Sequence, residues 1–351
     1  MKTLRNALIA VAVLSALLVP TVASGANVID IQGSTTVYPI ADASEAPFEA
    51  AYSGYDITVA GGGSSHGWAQ VNADACDIGM CSSKKGPGST CTEWVVAQDA
   101  VSVLVNSAKA ANLSFITTAE LAEIYGDTSG DGDEYWEDLS GWTGGAGSTP
   151  IEPRARIVGS GTRATFLDFI GVSEAAEELV IDTTRFGANS DFPPAIAANP
   201  DHIGYVGLGF IDDDPLAVAI PVDDGSGPVM PSKATVNDGS YPYARNLYMY
   251  TQLPTVDPTY KVYVFDYLNW LLSPAGAAIV EDEGFVAASA VAPYWDLNGD
   301  GVCDLFDILA VGGQWAWAGA PGSIDADLNA DGTVDLFDIL IVGAHWNETW
   351  S

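Results

Sequence analysis

Apolar runs along this chain end, four times over, in clusters of glycine and hydroxyl side chains. NVIDI, from Asn27, reads as a short buried strand. It runs into GSTTVYPIADASEAPFEAAY, where Ile40, Ala43, Phe48 and Ala51 recur with helical spacing behind Gly33, Ser34, Thr35 and Thr36. DITVAGGGSSHGWAQV repeats the scheme: a strand, then Gly61, Gly62 and Gly63, the hydroxyls of Ser64 and Ser65, and a helix predicted from Trp68. CDIGMCSSKK puts Asp77 and Ile78 on a strand with Ser82 and Ser83 after it, and RIVGSGTRATF sets Gly159, Ser160, Gly161 and Thr162 ahead of Phe166, Leu167, Phe169 and Ile170. Strand, hydroxyl loop and helix in succession make an α/β fold, in which ligands gather outside the carboxyl ends of strands, so the four loops can converge on one site.

The loops name the chemistry of the guest. Glycines let backbone come close, hydroxyls add donors that turn either way, and a helix N-terminus offers bare N–H groups and a favourable dipole, so the natural occupant is a small oxyanion. Arg156 and Arg163 flank the last loop in a chain that holds only 12 Lys plus Arg. A planar guanidinium suits bidentate recognition of a tetrahedral anion, so Arg156 and Arg163 are both candidates for the charged ligand.

Beyond residues 286–294 the pattern changes. DLNGDGVCDLFDILAVGGQW and DLNADGTVDLFDILIVGAHW form an internal repeat in which Asp296 matches Asp327. Each opens with a twelve-residue loop of oxygen ligands. Asp296, Asn298, Asp300, the Val302 carbonyl, Asp304 and Asp307 take positions one, three, five, seven, nine and twelve, with Gly301 at the sharp turn. Asp327, Asn329, Asp331, the Thr333 carbonyl, Asp335 and Asp338 do the same around Gly332. Hard carboxylates at this alternation call for Ca2+, and a module this small needs the metal in order to fold. Cys303 and Val334 share loop position eight, which faces inward, so Cys303 is expected in a core. A weaker third loop, GDTSGDGDEYWEDL, sets Asp127, Ser129, Asp131, Gly132 and Asp138 at EF-hand-like positions, with an acidic solvated insertion as the other reading.

Charge and leader narrow the class further. Lys2 and Arg5, the apolar run Ala7 to Val19, Pro20 and the small residues Ser24, Gly25 and Ala26 read as a secretory signal peptide over residues 1–26. The expected product is exported, extracellular or at the cell surface. The formal charge of −34 becomes about −36 after cleavage, which excludes nucleic acid and anionic membrane surfaces as partners. It also means that an anion must be held by local donors against the field of the whole protein. In an exported chain a disulfide among Cys76, Cys81 and Cys91 is open, with Cys81 to Cys91 favoured. No paired carboxylates and no nucleophile with a histidine support catalysis, since His66, His202 and His345 are scattered. The chain is not expected to be an enzyme.

GSTTVYPIA, GGGSSHG, ADACDIGM, GSGTRATF, IGYVGLGFI, YPYARNLYMYT and FDYLNWLLSPAGAAIVEDEGF, in that order from Asn27 to Ala290, resemble the periplasmic phosphate-binding proteins of ABC-type phosphate importers. The resemblance implies a type II-like periplasmic-binding-protein fold, two α/β lobes on a hinge with the anion closed between them. Residues 27–293 would form this domain, one lobe from about 27–105 plus 240–290 and the other from 106–239. It implies phosphate ligation by Ser34, Thr35, Thr36, Ser64, Arg156, Ser160, Gly161 and Thr162, with Ser82 at the fourth loop. Better-known members carry an aspartate there that accepts the proton of hydrogen phosphate, so Ser82 leaves another tetrahedral oxyanion open as ligand. It also implies an ABC importer permease as partner.

The distal aspartate at position twelve, with a helix after each loop, resembles a type I dockerin over residues 294–351. That resemblance implies an α-helical module with two Ca2+ ions and a cohesin module as partner. Both repeats carry Leu-Phe at positions ten and eleven, which leaves partner choice unreadable and a core role open. Two functions follow as expectations. One is an extracellular solute-binding protein tethered through the dockerin; the alternative is a surface assembly protein in which the binding fold is a spacer.

Overall fold

The computed structural model describes residues 27–85, 91–126, 135–181, 185–252, 262–288, 297, 302–319, 326–328 and 333–344. The signal-peptide reading, Asp296, Asn298, Asp300, Asn329 and Asp331, and Asp127, Ser129, Asp131 and Gly132 of the third loop lie outside the described residues.

Strand β1 (Asn27–Gly33) is flanked in parallel by β2 (Tyr55–Ala60) and β3 (Ile78–Cys81), with Ile31 opposite both Val59 and Ile78. Helix α1 (Tyr38–Ala51) and helix α2 (Ser64–Asn72) follow β1 and β2. Gly33 ends β1 at φ +136, and a Cβ there would lie 2.3 Å from the Met80 carbonyl oxygen, so only glycine lets the first loop fold back over β3. Helix α2 starts at Ser64, not at Trp68. Gly63, at φ +88, makes the turn and leaves both serines free to form the first helical turn.

Strand β4 (Cys91–Asn106) is the spine of the molecule. Further along come β5 (Glu152–Pro153), β6 (Ala155–Arg156), helices α3 (Gly161–Ile170) and α4 (Glu174–Val180), β7 (Arg185–Phe186), β8 (His202–Gly207), β9 (Ala217–Ala219) and β10 (Ala244–Gln252). The first half of β4 pairs antiparallel with β10, from Cys91 opposite Gln252 to Ala100 opposite Ala244. Its second half pairs with β8, from Val101 opposite Gly207 to Val105 opposite Ile203. The sheet order is β2-β1-β3-β10-β4-β8-β5, with β9 and a short strand at Val286–Ala287 also on β4. One core gathers Ile29, Ile31, Phe48, Met80, Leu247 and Tyr267; the other gathers Val101, Val103, Tyr125, Trp136, Phe166 and Tyr205. Two apolar masses joined by one crossing strand and its returning neighbour make two lobes.

None of the four cysteines is in a disulfide. Cys81 ends β3 and Cys91 begins β4, but β10 inserts between those strands, with Tyr248 opposite Cys81 and Gln252 opposite Cys91. The Cys81 thiol instead donates to the Ser64 carbonyl at 3.4 Å, and burial pushes its pKa up to about 12.

At the C-terminus, helices Leu305–Gly313 and Leu336–Ala344 close over a small core of Cys303, Val311, Ala326, Val334 and Val342. Cys303 is fully buried and its thiol donates to the Val342 carbonyl at 3.1 Å. The Leu-Phe pairs are not core. Leu305, Phe306, Leu336 and Phe337 are exposed, because each short helix has only one covered face and Ile308, Val311, Ile339 and Val342 fill it. Among the described residues no helix is long and apolar enough to cross a membrane.

Candidate anion-binding site

The four hydroxyl loops meet at the junction of the lobes. Ser34, Thr36, Ser64, Ser82, Arg156, Ser160, Gly161 and Thr162 are all buried there and Thr35 is half-buried. Ser34 is drawn in by its N–H, which donates to the Met80 carbonyl at 2.9 Å, and its Oγ accepts from the Thr36 N–H at 3.2 Å. Ser64 Oγ accepts from the Ser82 N–H at 2.9 Å and lies 3.2 Å from Ser82 Oγ. Gly161 presses on that pair from the other lobe: a Cβ on it would sit 2.3 Å from Ser64 Oγ and 2.6 Å from Ser82 Oγ. Ser160 caps α3, its Oγ accepting from the Arg163 N–H at 3.3 Å, which aims the N-terminus of that helix at the cluster. Thr36 of the first loop and Thr162 of α3 touch across the cleft, hydroxyl to hydroxyl, at 2.8 Å.

The two flanking arginines have different fates. Arg156 is 1 % exposed; its Nε donates to the Phe186 carbonyl at 3.2 Å, and its Nη2 donates to Gly187 O at 2.7 Å and Thr35 Oγ1 at 2.8 Å. Its Nη1 is buried with no partner among the described residues. Burial pushes its pKa down to about 10, helped by Arg245 and opposed by Tyr205, which leaves a cation at neutral pH. Arg163, the second candidate, is spent elsewhere. It is ion-paired to Glu174 at 2.7 Å, Glu177 at 2.8 Å and Glu178 at 3.3 Å. Burial works against its charge, but Glu177 and Glu174 outweigh it and hold the guanidinium above its ordinary pKa. The guanidinium holds α4 to α3 and is not offered to a guest.

Three residues outside the predicted loops complete the site. Arg245, on β10, donates from Nη2 to Thr162 Oγ1 at 3.1 Å and from Nη1 to the Ser82 carbonyl at 3.0 Å. Asp99, on the crossing strand β4, holds that arginine through Nε at 2.9 Å and Nη2 at 2.7 Å, while its other oxygen accepts from the Leu208 N–H at 2.7 Å. Asn189, in the turn after β7, is fully buried and its Nδ2 donates to Thr36 Oγ1 at 2.7 Å. The motif YPYARNLYMYT contained Arg245, and a lone Asp99 inside the apolar strand was a further signal. Asn189 had none. Lys84, beside the fourth loop, is an exposed partner of Glu93 at 3.0 Å.

The acidic repeat poses the opposite problem. Asp307 and Asp338 are fully buried and Asp327 nearly so, in a stretch, residues 294–351, that contains no lysine or arginine. Asp307 accepts from the Leu297 and Asp304 N–H groups, both at 2.8 Å, and Asp338 from Leu328 and Asp335 at the same distances. Position twelve thus ties together the two ends of each loop. Among the described residues no group of three His, Cys, Asp or Glu lies in metal-holding reach. Asp138, position twelve of the third loop, is instead exposed.

A model of the PBP superfamily domain matches residues 20–275, most of the chain. The chain belongs to the PBP superfamily. Among its relatives, the phosphate-binding protein PstS of Bacillus subtilis is 27 % identical over 276 residues, covering 77 % of this chain and 83 % of that protein. Protein SphX of Synechococcus elongatus is 27 % identical over 272 residues, 74 % of this chain and 77 % of the relative. Of solved structures, a putative phosphate ABC transporter substrate-binding protein with bound phosphate from Clostridium perfringens superposes with a TM-score of 0.63 at 24 % identity, over 75 % of this chain and all of that one. An ABC-type phosphate transport receptor from Vibrio cholerae gives 0.58 at 21 %, over 74 % of this chain and all of that one. These structural likenesses establish the two-lobed α/β fold. Proteins of this kind bind solutes and are not enzymes. The matched stretch ends ahead of the acidic repeat.

Proposed function

We propose that this chain captures phosphate, or a related tetrahedral oxyanion, between its two lobes outside the cell and passes it to an ABC importer. The observation that carries the reading is Arg156 Nη1, a buried cationic donor with no partner among the described residues, on a guanidinium whose Nη2 donates to the Thr35 hydroxyl. An unpaired buried donor is costly, and a dehydrated oxyanion is the guest that removes the cost. The relatives named for phosphate binding point the same way. Isothermal titration of the full chain with phosphate, arsenate, sulfate and molybdate is expected to give binding in the micromolar range or tighter for at least one; no heat from any of the four defeats the reading.

The C-terminal repeat is proposed as a dockerin-type module with one Ca2+ in each loop, held by Asp296, Asn298, Asp300, Val302 O, Asp304 and Asp307 and by Asp327, Asn329, Asp331, Thr333 O, Asp335 and Asp338. Buried aspartates in a module whose sequence contains no lysine or arginine support a resident cation. The exposure of Asp138 favours two ions over three. The module would tether the receptor to a cohesin-bearing surface or complex. A second reading, in which assembly is the main role, is supported by one observation. The matched exposed sets Leu305, Phe306, Leu309 and Leu336, Phe337, Leu340 offer two like apolar faces to a partner. Mutating Arg156 and Ser160 to alanine separates the two readings, because anion capture should fail while cohesin binding survives.

A further inference from the structure

Two polar atoms of the cleft are buried without a partner among the described residues, and their side chains grip one dipeptide. Arg156 reaches Thr35 Oγ1 through Nη2 and leaves Nη1 over; Asn189 reaches Thr36 Oγ1 through Nδ2 and leaves Oδ1 over. The first leftover atom is a donor and the second an acceptor. Both side chains hang on one segment, since Arg156 takes the carbonyls of Phe186 and Gly187 and Asn189 follows two residues on.

Counting protons around the threonines sharpens the picture. Thr36 Oγ1 accepts from Asn189 Nδ2, and Thr162 Oγ1 accepts from Arg245 Nη2. The two hydroxyls are 2.8 Å apart, so one donates to the other and the second hydroxyl proton is left for a guest. This corner therefore presents a guest with a guanidinium N–H, one hydroxyl proton and a single amide oxygen. Neither buried carboxylate nearby can act as acceptor. Asp99 is occupied by Arg245 and the Leu208 N–H, and Glu177 by Arg163 and Arg185.

Resting on the anion-capture reading above, we infer that Asn189 Oδ1 is the acceptor by which the cleft tells a protonated oxyanion, hydrogen phosphate, from an unprotonated one, sulfate. Hydrogen phosphate brings a proton that satisfies the amide oxygen. Sulfate brings only lone pairs, so it leaves that oxygen buried and unmet, facing another acceptor. Because the amide is neutral, the discrimination it gives is on the order of tenfold to a hundredfold and not the larger factor that a carboxylate would impose.

The test is titration of the full chain with sodium phosphate and sodium sulfate at neutral pH, for the native protein, Asn189→Asp and Asn189→Leu. The native protein is expected to favour phosphate within that range. Asn189→Asp should keep phosphate binding and raise the preference by about another tenfold, because a carboxylate repels sulfate. Asn189→Leu should bring the ratio of the two affinities close to one. An unchanged ratio in both variants overturns the inference. So does equal loss of phosphate and sulfate in Asn189→Asp, which would mean that the amide donates to the guest. If Asn189→Leu does not fold, Asn189→Asp decides alone. A native protein that binds neither anion defeats the capture reading itself, whereas one that binds phosphate with ratios indifferent to residue 189 defeats only this inference.

Discussion

The cleft and the C-terminal repeat solve inverse problems of burial. The cleft buries one guanidinium nitrogen of Arg156 that has no partner among the described residues; the repeat buries Asp307 and Asp338 where no lysine or arginine is near in sequence. Charge held in a buried site is expensive in either sign, so on the functions proposed above each region would take a guest of opposite charge. The difference lies in what holds the region up without its guest. The cleft is supported by two cores, one in each lobe, while the repeat has, among the described residues, a core of five buried apolar residues. A small core cannot meet the cost of ordering a chain alone.

The largest expected effect follows from that difference. Removing Ca2+ with a chelator should unfold the C-terminal module of the full chain and leave the transition of the large domain in place, since metal binding to a small module with little core of its own is folding free energy. Differential scanning calorimetry and far-UV circular dichroism before and after chelation check this. Loss of one transition of two is expected, and an unchanged helical signal would mean that the repeat stands without metal. In the cleft, Arg156→Ala should weaken phosphate binding by about a hundredfold or more while the domain still melts cooperatively, because a buried charge-assisted contact is lost. Arg156→Lys should fall between, having the charge without the fork. Titration calorimetry with a parallel melt separates affinity from folding, and an Arg156→Ala protein with native affinity would break the contrast between the two regions.

How much of this was legible depended on whether the information was local. The four hydroxyl loops repeat one short grammar after four strands, so Ser34, Ser64, Ser82 and Ser160 could be picked out without coordinates. The start of the second helix at Ser64 instead of Trp68 was a matter of the positive φ at Gly63, which composition alone does not report. Arg245 and Asp99 reach the site because β10 and β4 are neighbours, a pairing between segments far apart in the chain. The same insertion of β10 separates Cys81 from Cys91 and removes the expected disulfide. Arg163 was a lesser candidate beside Arg156 because both flank one loop. The acids that claim it, Glu174 and Glu177, come one helix later, and their role depends on how α4 packs against α3. The sequence left a core role open for Leu305 and Phe306, but a nine-residue helix has only one face to bury, and these two fall on the other.

The smallest effect expected is also the one that sets the two regions most directly against each other. With a formal charge of −34, the protein repels phosphate at long range and attracts Ca2+, so the cleft works against the global field and the repeat works with it. Salt shortens the reach of that field to about 8 Å at physiological ionic strength, while contacts inside the dry cleft are hardly touched. Raising ionic strength with a chloride salt should therefore speed phosphate association, by a few-fold at most, and should weaken Ca2+ binding over the same range. Stopped-flow association with phosphate and a Ca2+ titration, both run from low to physiological salt, read the two slopes. Opposite signs are expected. Phosphate association that slowed with salt would mean that a local positive potential around Arg156 and Arg245 outweighs the rest of the molecule, and that the anion is drawn in rather than admitted against the field.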